Sequence, residues 1–116
     1  MTKPVPITEA QWQQQVIELA PILGYKANHT RRSIGKGGRW VTATSIVGWP
    51  DLVLYSPTKQ RTIYVELKSD KGRLTAEQTE VLDDLRKSGN EVAVWRPADL
   101  EVVHEYLRGP ASEVTQ

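Results

Sequence analysis

The chain has 116 residues, 39% of them apolar, enough for one compact core and too few for two ordinary domains. It has no cysteine, which excludes disulfide frameworks, thiolate zinc sites and cysteine nucleophiles and suits a reducing cytoplasm. The net charge of +1 is unevenly spread, with +5 over residues 1–65 and −4 over residues 66–116; no stretch nears the roughly 20 apolar residues of a membrane span, and residues 1–6 lack the apolar run of a signal peptide. The expectation is a soluble, cytoplasmic single domain over residues 1–116, with a core over about 8–107 and a frayed tail over 109–116.

Thr8 is placed to cap a helix over residues 9–23 that ends at Gly24. Trp12, Val16, Leu19, Ala20 and Leu23 recur at helical spacing and form the stripe expected on the core, with Pro21 in position to kink the last turn. Residues 25–47 follow no single period: residues 40–44 favour a strand, and the glycine-rich part before them does not. Charge is the informative property of that segment. Between Glu18 and Asp51 there is no acidic residue, while Lys26, Arg31, Arg32, Lys36 and Arg39 fall among Gly35, Gly37 and Gly38. Cations among glycines suit close approach to a phosphate backbone, and equally a solvated loop.

Residues 50–55 and 62–68 read as strands joined by the turn-rich residues 56–60, an antiparallel hairpin. Alternation puts Ile63, Val65 and Leu67 on one face and Tyr64, Glu66 and Lys68 on the other. After Gly72, Leu74 and Thr75 lead into a helix to about Lys87, stopped by Gly89-Asn90, with Leu74, Gln78, Val81, Leu82 and Leu85 on one stripe. Gln78 is the polar member of that apolar stripe. Residues 91–95 form a further strand, and Asp99 is expected to cap a last helix through Leu107. With no repeat, low-complexity tract or linker, the order is helix, one or two strands, hairpin, helix, strand, helix: an α/β or α+β sandwich.

Asp51 and Glu66, on paired strands, can converge, and Lys68 shares the face of Glu66. Carboxylates from adjacent strands beside one ammonium suit a hard divalent cation such as Mg²⁺ or Mn²⁺, which is what hydrolysis of a phosphodiester requires to activate water and offset developing charge. Each piece alone is common. Jointly, Gly48-Trp49-Pro50-Asp51, fourteen further residues, Glu66-Leu67-Lys68 and then Gln78 at the head of a helix resemble the signature of the PD-(D/E)XK nucleases. The chain is most similar to the virus-type replication-repair nuclease (VRR-NUC) domain, over about residues 8–107.

The resemblance implies a central mixed sheet flanked by helices and a Mg²⁺- or Mn²⁺-dependent endonuclease. Asp51, Glu66 and the backbone carbonyl of Leu67 match the metal ligands, and Lys68 completes the centre. Gln78 matches a further polar residue of the family, although Thr75 and Gln78 also have the spacing of a capping box. Related nucleases carry a glutamate on the first helix. Glu9 lies beside the Trp12 and Val16 stripe whereas Glu18 faces away, so Glu9 is the choice, with a helix-dipole role as its plain alternative. Lys26, His29, Arg31, Arg32, Lys36 and Arg39 are the expected DNA contacts, and Trp49 and Tyr64 are candidates to stack on unpaired bases. Trp95, in an apolar strand, is expected in the core.

By the same resemblance, the substrate is branched or flapped DNA (a Holliday junction or flap) in replication, recombination or repair, the assembly a homodimer, and a helicase or replication protein a possible partner. Two rival readings stay open at this point: a non-catalytic nucleic-acid-binding accessory module of the same fold, and an endonuclease acting on RNA.

Overall fold

The computed structural model describes residues 6–30, 32–34, 40–42 and 45–109; Arg31, Lys36 and Arg39 lie outside them, as do the side chains of residues 32–34 and 40–42. Helix α1 (Glu9–Ile22) opens on a complete capping box: the Gln11 amide donates to Thr8 Oγ1 at 3.0 Å and the Thr8 amide to Gln11 Oε1 at 2.8 Å. Its buried stripe is Trp12, Val16 and Ala20, with Leu19 and Leu23 half-buried beside it. Pro21 falls in the last turn, so the helix needs to extend only to Ile22 before Gly24 turns the chain in the left-handed region (φ +92°).

The described part of residues 25–47, which follow no period in sequence, holds three strands where one or two were expected: β1 (Lys26–His29), β2 (Arg32–Ile34) and β3 (Trp40–Thr42). β2 and β3 pair with each other as a separate two-stranded sheet. β1 has a single apolar residue, Ala27, and no alternating pattern. It is a strand because its backbone pairs antiparallel with β4 (Leu52–Ser56) along its whole length, from Lys26 opposite Tyr55 to His29 opposite Leu52.

β4 and β5 (Arg61–Leu67) form the expected hairpin, with ends one or two residues from the predicted ones. β6 (Glu91–Trp95) then lies parallel to β5, a pairing that requires a crossover, supplied by α2 (Ala76–Lys87). The sheet order is β1-β4-β5-β6, mixed and flanked by helices, an α+β fold. α3 (Leu100–Arg108) follows a 3₁₀ turn at Pro97–Asp99. Asp99 does not cap α3. Its carboxylate accepts the Arg96 amide at 2.8 Å and so closes the 3₁₀ turn instead, because Pro97 starts that turn two residues earlier.

The main core joins Trp12, Val16 and Ala20 to Leu52, Leu54, Ile63, Val65, Leu67 and Trp95, with Val103 and Leu107 of α3. Burial of each Val, Leu or Ile side chain among them contributes roughly 1.5–3 kcal/mol. The Trp12 indole donates to the Trp95 carbonyl at 3.0 Å, tying α1 to the end of β6. At the other end of the sheet, Arg61 pairs with both carboxylate oxygens of Glu91 and donates to the Tyr106 carbonyl (2.6 Å) and the Tyr25 hydroxyl (3.1 Å). Its guanidinium also lies over the Tyr106 ring and holds the Glu91 carboxyl below the usual range. No helix among the described residues is long and apolar enough to cross a membrane.

Since β4 and β5 run antiparallel, the start of β4 lies beside the end of β5. The beginnings of α1 and α2 reach that same end of the two strands.

Candidate active site

Leu52 pairs with Val65, so Asp51, one residue earlier, lies across from Glu66 with its side chain on the same face. Asp51 is gripped by backbone on both sides: its carbonyl accepts the Thr30 amide and its Oδ2 the Leu67 amide, each at 2.9 Å. Leu67 thus touches the site through its N–H. In a strand the carbonyl of a residue projects to the same side as its amide, which puts the Leu67 carbonyl towards β4 as well.

Glu66 is fully buried. Gln78 Nε2 donates to its Oε2 at 3.3 Å, while its Oε1 meets no hydrogen-bond donor among the described residues. Burial first, the neighbouring Asp51 charge second and a hydrogen bond with Asp51 third push the Glu66 carboxyl up to about 9. Glu9 completes the cluster: Glu9, Asp51 and Glu66 each offer a carboxylate oxygen within 4.8 Å of the others. Lys68 Nζ, nearly buried, is 3.8 Å from Glu9 Oε1 and 3.9 Å from Glu66 Oε2. Glu18, the alternative on α1, is exposed and accepts from Gln14 Nε2 at 2.9 Å.

Gln78 forms the capping box that its sequence position allows and also reaches Glu66. Its Oε1 accepts the Thr75 amide (2.9 Å) in a capping box, and this leaves its Nε2 to face Glu66. The cap therefore orients the amide that reaches the carboxylate.

A buried carboxylate oxygen with no donor is costly unless something else satisfies it. Three carboxylates on three backbone segments, one held by a main-chain amide and one with an unsatisfied oxygen, suit a hard divalent cation that takes oxygen ligands. The donor set contains no sulfur or imidazole, which disfavours zinc.

Gly48 has a place in the motif but no role that the motif explains. Its φ is +91°, and a Cβ there would lie 2.6 Å and 2.7 Å from the Glu77 carbonyl carbon and oxygen and 2.8 Å from the Gln78 nitrogen. The turn leading to Asp51 rests directly on the first turn of α2, so Gly48 sets the spacing between Asp51 and Gln78. Gly48→Ala should cost about 2–4 kcal/mol and should lower activity further by parting the two residues. Urea denaturation with the wild-type midpoint would refute this.

Of the expected DNA contacts, only Lys26 and His29 have described side chains. His29 is half-buried opposite Leu52, on the sheet face away from Glu66, and Lys26 is exposed at the far end of β1 from Asp51. Arg32 begins β2. Trp49 and Tyr64 are half-buried and meet edge to face at 6.0 Å, while Trp95 is buried, edge to face with Tyr106 at 5.8 Å.

The model of the VRR-NUC domain family matches residues 7–99. Among solved structures, one described as a VRR_NUC domain protein is similar in fold, with a TM-score of 0.63 and 22% identity over 90% of this chain and 91% of that one. No curated protein matches.

Proposed function

The chain belongs to the VRR-NUC domain family, a nuclease-type family, and on that premise we propose that it is a metal-dependent deoxyribonuclease that cuts phosphodiester bonds within branched or flapped DNA. The observation that carries this reading is the convergence of Glu9, Asp51 and Glu66 beside Lys68, with one buried glutamate oxygen lacking a donor.

Asp51, Glu66 and the Leu67 carbonyl would hold Mg²⁺ or Mn²⁺, with Glu9 as a further carboxylate close enough to contribute. Bound there, the ion would polarise the scissile phosphate and lower the pKa of water. The protein's own groups do the rest. The Leu67 amide fixes the Asp51 carboxylate, and Gln78 orients that of Glu66. Lys68 lies close enough to both flanking glutamates to hold the attacking water and to offset negative charge gathering on the phosphate. Lys26, His29, Arg31, Arg32, Lys36 and Arg39 would position the DNA through its phosphates. Two copies in a homodimer would offer two such centres to two strands of a junction, and a helicase or other replication protein could deliver the enzyme.

Labelled junction, flap, splayed and linear duplexes, with RNA counterparts, incubated with Mn²⁺ or with EDTA and mapped at nucleotide resolution, test the reading. Cleavage of branched DNA with Mn²⁺ and none with EDTA is the expected result. A protein that shifts the same DNA without cutting it is a binding module.

A further inference from the structure

Lys68 directly follows β5, and nothing in that strand explains how its four-carbon stem is held with its ammonium between Glu9 and Glu66. Its amide extends the parallel pairing by one step, donating to the Trp95 carbonyl at 3.1 Å, after which the chain leaves the sheet. It turns at once: the Gly72 amide donates to the Ser69 carbonyl at 3.0 Å, folding residues 69–72 back over Lys68. Gly72 lies beside the lysine stem: a Cβ there would be in ordinary van der Waals contact with Lys68 Cδ, at 3.4 Å, and 3.0 Å from Ser69 Oγ.

Two bonds from the 3₁₀ turn after β6 hold this fold-back. Arg96 Nη2 donates to the Gly72 carbonyl at 2.8 Å, and the Ala98 amide donates to Asp70 Oδ1 at 2.9 Å. A guanidinium is a planar, permanently charged donor, and its bond to a carbonyl is stronger than one between neutral groups. The turn that supplies it is itself closed by Asp99 on the Arg96 amide.

We propose that Arg96 is a positioning residue for Lys68: by holding the Gly72 carbonyl it keeps residues 69–72 packed on the lysine stem, and so keeps the Lys68 ammonium between Glu9 and Glu66. The proposal rests on the nuclease reading for its catalytic consequence and on geometry alone for its effect on Lys68.

The full chain, labelled with ¹³C at the lysine ε-carbons, tests it. In the wild type the Lys68 Cε resonance, assigned by its loss in Lys68→Arg, should be separated from those of solvent-exposed lysines. In Arg96→Ala it should move towards them, Arg96→Lys should restore it in part, and Gly72→Ala, which acts on the same stem with Arg96 intact, should also displace it. Under saturating DNA and Mn²⁺, Arg96→Ala should lower kcat roughly tenfold with little change in KM. In a Lys68→Ala background, followed with enzyme in excess, it should have no further effect, because both changes act through one group.

An unmoved Lys68 resonance in folded Arg96→Ala overturns the proposal. So does an equal loss of rate with and without Lys68. If the wild type cuts no DNA, the nuclease reading fails while the resonance still reports on the Arg96 contact.

Discussion

Asp51→Asn and Glu66→Gln are each expected to reduce Mn²⁺-dependent DNA cleavage by at least about 10³-fold while leaving the fold intact. The amide variants are sharper than alanine because each keeps the shape of its site. Asparagine at position 51 still offers an oxygen to the Leu67 amide, now 2.9 Å from Asp51 Oδ2, so the start of β4 stays tied to the end of β5. Glutamine at position 66 fills the same fully buried volume and can keep an oxygen towards Gln78. What each loses is the ability to carry negative charge, which a divalent cation needs and the backbone does not. Cleavage rate should therefore separate from fold and binding: cleavage collapses, while neither variant loses melting temperature and DNA affinity changes little. Wild-type rates from both variants would exclude the nuclease reading.

The second large effect is on stability, and it comes from Glu66. Its folded carboxyl lies near 9 against an ordinary value of 4.5, so between those limits the native protein holds a proton that the unfolded chain has released. Stability is then fully present below the ordinary value and declines as pH rises towards 9, with a slope of up to about 1.4 kcal/mol per pH unit from this one group. In EDTA the wild-type melting temperature should fall from pH 6 to pH 9, and Glu66→Gln should flatten that decline and be the more stable protein at the alkaline end. Mn²⁺ binds the ionised form, so the stabilisation it adds should grow over the same range. Parallel curves for wild type and Glu66→Gln in EDTA would count against a buried, donor-poor Glu66.

Much of this was legible in the residues themselves. Helical spacing fixes which faces of α1 and α2 meet the core, and Thr8 and Thr75 mark where both helices begin. Alternation along β5, continued one residue beyond its end, puts Glu66 and Lys68 on one face, because a strand has a period of two. The order of motifs identifies the family. These are local properties, set by steric preference and periodicity within a few residues.

The rest depended on contacts between residues far apart in sequence. β1 has no strand pattern of its own, and it exists through its pairing with β4. Asp99 has the position of a helix cap, but a turn starts ahead of it at Pro97, and its carboxylate accepts the Arg96 amide instead. Helical phase favours Glu9 over Glu18, yet only the docking of α1, with Trp12 bonded to the Trp95 carbonyl, places Glu9 near Asp51 and Glu66. Gly48 against α2 and Arg96 against Gly72 carry no local signal at all. Periodicity states which way a side chain points from its own element; how closely two elements approach, and which oxygen is left without a donor, is settled when the elements pack together.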